Sequence, residues 1–263
     1  MDFTPTFFDR WREHRHLQYV DRVREVFDEA VPDEEWLAGA RVRAKAKEAV
    51  ASLKHSGVEV GEEEGVVRVL GEGATDDVGP VDVAAVRAFG DAYDAALAAA
   101  AQGAALTPAL VDDLHARLCA AAAGRTDNTT DPALAELTAW VESPPDDMHP
   151  VLVAAVAELE LLRMRRWDDG NGRLARMVLL LLLHRSGYGY KGLIAPSTGW
   201  HDPRDLPGGP AEELSPEEAE THPGVERAVG GIADAVRDMV AWVRAEESPG
   251  SWQAVFFANP VQP

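Results

Sequence analysis

The run Met177-Val178-Leu179-Leu180-Leu181-Leu182-Leu183 is apolar on every side. A helix through it has no face to give to water, so other elements must wrap it. Its flanks set its ends. Gly170-Asn171-Gly172 allows a tight turn before the helix, and Gly187 is a C-terminal stop after Arg185. The run is far too short to cross a bilayer, so the expectation is a bundle with this helix at its centre. Aromatic residues make up only 7% of the chain, while alanine and leucine supply much of the apolar material. That balance favours helices over strands.

The rest of the chain reads as helices to surround it. Residues 5–54 give two N-terminal helices: the first carries Phe7, Phe8, Trp11, Val20, Val23 and Phe27, and the second restarts at Pro32-Asp33. From residue 57 to 79 the pattern changes. Val58-Glu59-Val60 and Val66-Val67-Arg68-Val69-Leu70 predict a short β-hairpin or extended region. Helices resume at about Asp82. Thr107-Pro108, Asp131-Pro132 and His149-Pro150 each open a helix, the first two as a capping oxygen followed by a proline that needs no amide partner. Residues 195–223 predict a long surface loop with one turn of helix, and an amphipathic helix over 224–246 follows. No repeat or boundary divides the chain, so the expectation is a single all-α domain over residues 1–263.

With 25 basic and 45 acidic side chains, the net charge is −20. Such a surface repels nucleic-acid backbones and anionic membranes. Any bound phosphate must rest on a small local site. One cysteine, Cys119, excludes an internal disulfide framework. With no leader-like N-terminus, it points to a cytoplasmic protein.

That local site is legible at Arg165-Arg166-Trp167-Asp168-Asp169-Gly170-Asn171-Gly172-Arg173-Leu174-Ala175-Arg176. The glycines let consecutive amides converge, and a helix N-terminus favours an anion. Arg173 and Arg176 fall on neighbouring turns and can reach the same anion. Asp169 is placed to hold a divalent cation against it. The plainer alternative is an ordinary helix-start turn whose arginines pair with carboxylates.

The segment resembles the Fic family pattern His-x-Phe-x-[Asp/Glu]-Gly-Asn-Gly-Arg-x-x-Arg, matching its second half residue for residue. His149-Pro150 and Leu106-Thr107-Pro108 also resemble the family's core helices, so the likeness covers roughly residues 82–197. The resemblance implies a Fic-like core and AMP transfer from ATP with Mg²⁺. It implies metal binding at Asp169, an anion hole of Gly170, Asn171, Gly172 and Arg173, and Arg176 on the distal phosphate. Some members carry an inhibitory [Ser/Thr]-x-x-x-Glu-[Gly/Asn], whose glutamate pairs with the second arginine. Glu59 is the candidate here, against the reading of an exposed glutamate. The family's target-docking hairpin corresponds to residues 123–130, a short polar loop in this chain.

The sequence departs from that pattern where the base would stand. Arg165 occupies the histidine position, and a guanidinium stays protonated at any working pH. Arg166 replaces a common proline and Trp167 the phenylalanine. His115, His149 and His184 read as capping or packing residues. The expectation is therefore a nucleotide- or phosphate-binding Fic-type protein with altered chemistry on an anionic small molecule. The alternative is a retired enzyme that only binds a ligand or partner. Donor, acceptor and oligomeric state are not legible.

Overall fold

The computed structural model describes residues 14–71, 82–119, 131–145, 147–200 and 221–245, with the side chains of 221–223 left aside. The expectations for Phe7, Phe8, Trp11 and the loop 123–130 lie outside these residues, as does most of the predicted loop 195–223. The described residues form nine α-helices and no strand. They are α1 (Arg15–Glu29), α2 (Glu34–His55), α3 (Glu63–Leu70), α4 (Val83–Ala101) and α5 (Pro108–Leu118). α6 (Pro132–Glu142), α7 (Pro150–Met164), α8 (Asn171–Arg185) and α9 (Thr221–Ala245) follow. Two 3₁₀ turns, Tyr190–Gly192 and Pro196–Gly199, lie between α8 and α9.

α8 occupies the position its apolar run requires. Every side chain from Asn171 to Leu183 is buried, and α7, α4, α5 and α2 pack around it. α7 is nearly as enclosed, because α6 and α9 cover the face that α8 leaves. Fully burying one leucine stabilises the fold by roughly 2 kcal/mol, so the α7–α8 pair anchors everything else. Helix starts follow their caps. Thr107 Oγ1 accepts from Leu110 N at 3.2 Å, Asp131 from Ala133 N at 2.9 Å, and Asp33 from Trp36 N at 2.9 Å. His149 Nδ1 accepts from Val151 N at 3.2 Å. Its Nε2 therefore carries the proton, which faces the Asp21 carboxylate at 3.1 Å. Asp21 also accepts from the Tyr188 hydroxyl, so one carboxylate joins α1 to the start of α7 and the end of α8. No described helix is long and apolar enough to cross a membrane.

Two local expectations are corrected. Residues 63–70 form helix α3 rather than a strand of a hairpin. The valines do have β propensity, but Val66, Val69 and Leu70 share a helical face, and Val66 and Val69 are wholly buried. Glu63 and Glu64 in the first turn suit the helix dipole. Tertiary burial outweighs propensity here. The second correction concerns the start of the predicted surface loop. Ala195, Pro196, Ser197, Gly199 and Trp200 are all buried, because the 3₁₀ turn Pro196–Gly199 sits between α2 and α9.

That turn lies close to α9 because two glycines meet. A Cβ on Gly199 would stand 1.8 Å from Gly231 O and 2.8 Å from Ala235 N. Gly199→Ala is expected to lower stability by about 2 kcal/mol, since backbone rather than a flexible side chain must move. Gly230→Ala is the control, because nothing lies within 4 Å of its Cβ position. It is expected to stabilise α9 by roughly 0.5–1 kcal/mol through helix propensity. Urea denaturation of the two variants checks both signs.

Candidate functional site

The site is the turn from α7 into α8. Arg165 closes α7 in a left-handed conformation (φ 44°, ψ 45°), and Gly170 opens α8 in another (φ 81°, ψ 3°). Gly170 is needed for space as well as for φ: a Cβ there would stand 2.6 Å from Cys119 Sγ. Between these residues Asn171 braces the loop. Its Oδ1 accepts from Trp167 N at 3.1 Å and its Nδ2 donates to Trp167 O at 2.6 Å. The Asn171 side chain is thus committed to structure. Leu174 N is the first amide of α8 to bond back, to Gly170 O at 2.9 Å. The amides of Asn171, Gly172 and Arg173 precede it, in the turn where the helix supplies no acceptor.

Arg173 leans over this turn. Its Nη2 donates to Asp169 Oδ2 at 2.7 Å and meets Cys119 Sγ at 3.7 Å. The residue is 8% exposed, and its Nε has no acceptor among the described residues. A buried N–H without a partner costs roughly 1–3 kcal/mol and marks where an acceptor would bind. The Asp169 side chain is 72% exposed and its Oδ1 accepts from Gly170 N at 2.7 Å. Among the described residues no three His, Cys, Asp or Glu side chains gather as a metal cage. A single exposed carboxylate fits Mg²⁺ only where phosphate oxygens and water complete the shell.

Two residues at the end of α5, His115 and Cys119, pack against the motif. The His115 ring stacks on Trp167, with centroids 4.6 Å apart, and its Nε2 lies 2.9 Å from Asp169 O. A carbonyl only accepts, so Nε2 carries the proton. Burial lowers the His115 pKa and keeps the ring neutral. Cys119 Sγ sits 3.5 Å from the same nitrogen, and burial pushes its thiol up. Nothing local linked either residue to the motif, which lies some fifty residues further on.

The arginines divide. Arg166 pairs with Asp112 at 3.5 Å and Asp131 at 3.1 Å, tying the loop to α5 and to the start of α6. Arg165 is exposed, as is Asp168. Arg176 turns away from the loop towards α2. Its Nε donates to Ser52 Oγ at 3.0 Å, and its Nη2 to Ser52 O at 2.9 Å and Ser56 Oγ at 2.7 Å. Glu59 is exposed beyond the end of α2. Ser52 and Ser56 stand four residues apart at the end of α2, so both reach Arg176. Beneath Arg176 lie two buried acids. Glu48 accepts from Ser197 N at 2.8 Å and Ser197 Oγ at 2.6 Å. Glu158 has one carboxyl oxygen without a partner.

No family model matches the chain. A 41-residue segment is 46% identical to a protein adenylyltransferase Fic of Culex quinquefasciatus; it spans 16% of this chain and 8% of that protein. The whole fold is similar to the crystal structure of a Fic family protein from Desulfovibrio desulfuricans G20. That likeness has a TM-score of 0.69 and 20% identity, and it covers 93% of this chain and 77% of the other. It is also similar to a fragment of Fic-1 from C. elegans, with a TM-score of 0.63 and 16% identity over 86% of this chain and 71% of the other. The chain therefore has the Fic fold.

The buried acids generate a pH prediction. Burial raises the Glu158 pKa to about 8, with Arg176 pulling it back. The folded state therefore holds a proton that the unfolded state releases near its ordinary carboxyl pKa. Stability from this group falls as pH rises from about 4.5 to 8. Glu158→Gln is expected to flatten that fall and to be more stable relative to wild type at pH 8 than at pH 5. Denaturation midpoints across that range check the sign.

Proposed function

We propose that this chain is a Fic-family protein that binds a nucleotide or another phosphate-bearing small molecule at the N-terminus of α8, and acts on it without a histidine base. The observation that carries this reading is Arg173. It is a nine-tenths-buried cation whose Nε has no acceptor, held beside the first amides of a 15-residue helix. A phosphate oxygen answers both needs, through charge-assisted hydrogen bonds and the helix dipole. A net charge of −20 elsewhere repels a free polyanion, so affinity rests on this local geometry and nucleic acid is not the partner.

Each motif residue has a task. Asn171 holds the loop through Trp167, His115 holds it from α5, and Gly170 makes room for Cys119. Arg176, committed to α2, governs how near that helix stands to the site. Asp169, the one motif carboxylate, is the residue that would hold Mg²⁺ together with phosphate oxygens, and the ion would supply neutralising charge. Arg165 cannot accept a proton, so transfer of AMP through a base at this position is not the activity. An exposed guanidinium is suited to holding an anionic substrate at the mouth. One observation favours a second reading, that of a retired binding module: Arg165 is exposed rather than packed into the nest.

Arg173→Ala is expected to weaken Mg²⁺-ATP binding, measured by calorimetry, by about 2–3 kcal/mol, on the order of a hundredfold. The fold should survive, because the abandoned Asp169 carboxylate already faces water. Unchanged affinity would remove the nest as the ligand site. Labelled ATP is expected to leave no AMP on proteins of a cell extract. ATP turnover with the small-molecule fraction of that extract, lost in Arg173→Ala, supports altered chemistry; binding without turnover supports the retired module.

A further inference from the structure

The opposite end of α8, about 22 Å from the nest at 1.5 Å per residue, carries a second concave site. Gly187 closes the helix, its N–H donating to His184 O at 3.2 Å, while Tyr188 N–H donates to Leu183 O at 2.8 Å. The chain then turns again. Gly189 is right-handed (φ −80°, ψ −9°), and Tyr190 (φ 47°), Lys191 (φ 58°) and Gly192 (φ 89°) are left-handed. A right-handed residue followed by left-handed ones brings successive N–H groups to one side, the backbone form that holds anions. Among the described residues the N–H groups of Gly189, Tyr190 and Lys191 have no acceptor, while those of Gly192 and Leu193 return to Gly189 O. Two consecutive non-glycine residues in this region cost of order 1–3 kcal/mol each, and only surrounding structure holds them there.

The side chains at this turn have the matching charge. Arg41 reaches over from α2 and donates Nε–H to Lys191 O at 2.8 Å. The approach is close: a Cβ on Gly192 would stand 3.2 Å from Arg41 Cγ. Neither Arg41 nor Lys191 has a carboxylate partner among the described residues. Lys45 is nearby but neutralised, with both Asp94 oxygens at 2.8 Å. His184 contributes a neutral ring, since burial pushes its pKa down to about 4. The negative end of the α8 dipole lies at the same corner, so the two cations and the turn amides must outweigh it. These groups border a cleft of about 630 Å³ that Val42, Leu97 and Ala100 also line, together with Tyr93 and the Asp94 carboxylate that pairs with Lys45. That size suits a small molecule.

We propose that this cleft binds a small organic anion, with a phosphate or carboxylate head on the Gly189–Lys191 amides, Arg41 and Lys191, and an apolar body against Leu97 and Val42. In a chain with 45 acidic and 25 basic side chains, two cations left without carboxylates beside a cleft set it apart from the repulsive surface around it. The site is independent of the nest and of the activity proposed for it.

The test uses the full chain carrying Arg173→Ala, so that the nest does not compete. Phenyl phosphate and benzoate are titrated by calorimetry, with inorganic phosphate for comparison. Binding is expected for one or both aromatic anions, tighter than for inorganic phosphate. Arg41→Ala should weaken it about tenfold, the loss of one charge-assisted contact. Lys191→Asn, which suits a left-handed backbone and removes only charge, should weaken it several-fold with an unchanged thermal midpoint. Absence of binding at about 10 mM ligand, a level of roughly 3 kcal/mol or less, overturns the proposal. So does affinity indifferent to both substitutions, or binding seen only when Arg173 is intact.

Discussion

A helix buried on every side must settle its own polar side chains inside the protein, and α8 carries three of them in its first two turns. Asn171, Arg173 and Arg176 are 5%, 8% and 6% exposed. A cation at that depth costs several kcal/mol unless charge and hydrogen bonds answer it. Asn171 settles into the preceding loop and so creates the turn. Arg173 settles on Asp169, a partner that water also reaches, and keeps one N–H unanswered. Arg176 settles on α2. The features proposed to hold a ligand therefore follow from the burial of one helix, and the apolar run that forces the burial is the scaffold on which they depend.

This explains which parts of the molecule could be read from the chain. Caps are local, so Thr107, Asp131 and His149 were legible with their prolines, as was the turn at Gly170. The central position of α8 followed from leucines that leave no polar face. Contacts that join distant residues left no such trace. His115 meets Asp169 across 54 positions and Ser52 meets Arg176 across 124. The strand expected near Val66 failed for a related reason. The nearly unbroken apolar run Val66-Val67-Arg68-Val69-Leu70 is open to strand or helix, and packing against α2 and α4 decides between them. Likewise the prolines and glycines after residue 195 resemble a surface loop until Gly199 is seen to meet Gly231.

Residue 165 is an arginine, a side chain that stays protonated at any working pH. Among the contacts that hold the loop are Asn171 on Trp167, His115 on Trp167 and Asp169, and Arg166 between Asp112 and Asp131. Arg165 brings a permanent positive charge to an exposed position of the loop. Fixed charge attracts and orients an anion but moves no proton. The neutral imidazole that the fold does bring to the loop, His115, has its Nε2 proton committed to Asp169 O. It holds the backbone of the loop.

The charge beneath Arg176 shows why α2 can meet the site through neutral groups. Serine hydroxyls at positions 52 and 56 satisfy the hydrogen bonds of Arg176 but do not cancel its charge. Cancellation must come from below, where Glu48 and Glu158 are both buried and both raised by desolvation. Two ionised carboxylates beside one guanidinium would leave a net negative charge in the core, so one of them keeps its proton. Glu48 accepts two hydrogen bonds from Ser197, which favour its ionised form. Glu158 has an oxygen with no partner, which favours the acid. The Ser197 hydrogen bonds and Arg176 pull Glu48 back toward its ionised form, while burial holds Glu158 toward the acid. The end of α2 is held to Arg176 by hydroxyl and carbonyl contacts, each worth about 1.5–3 kcal/mol to a charged donor.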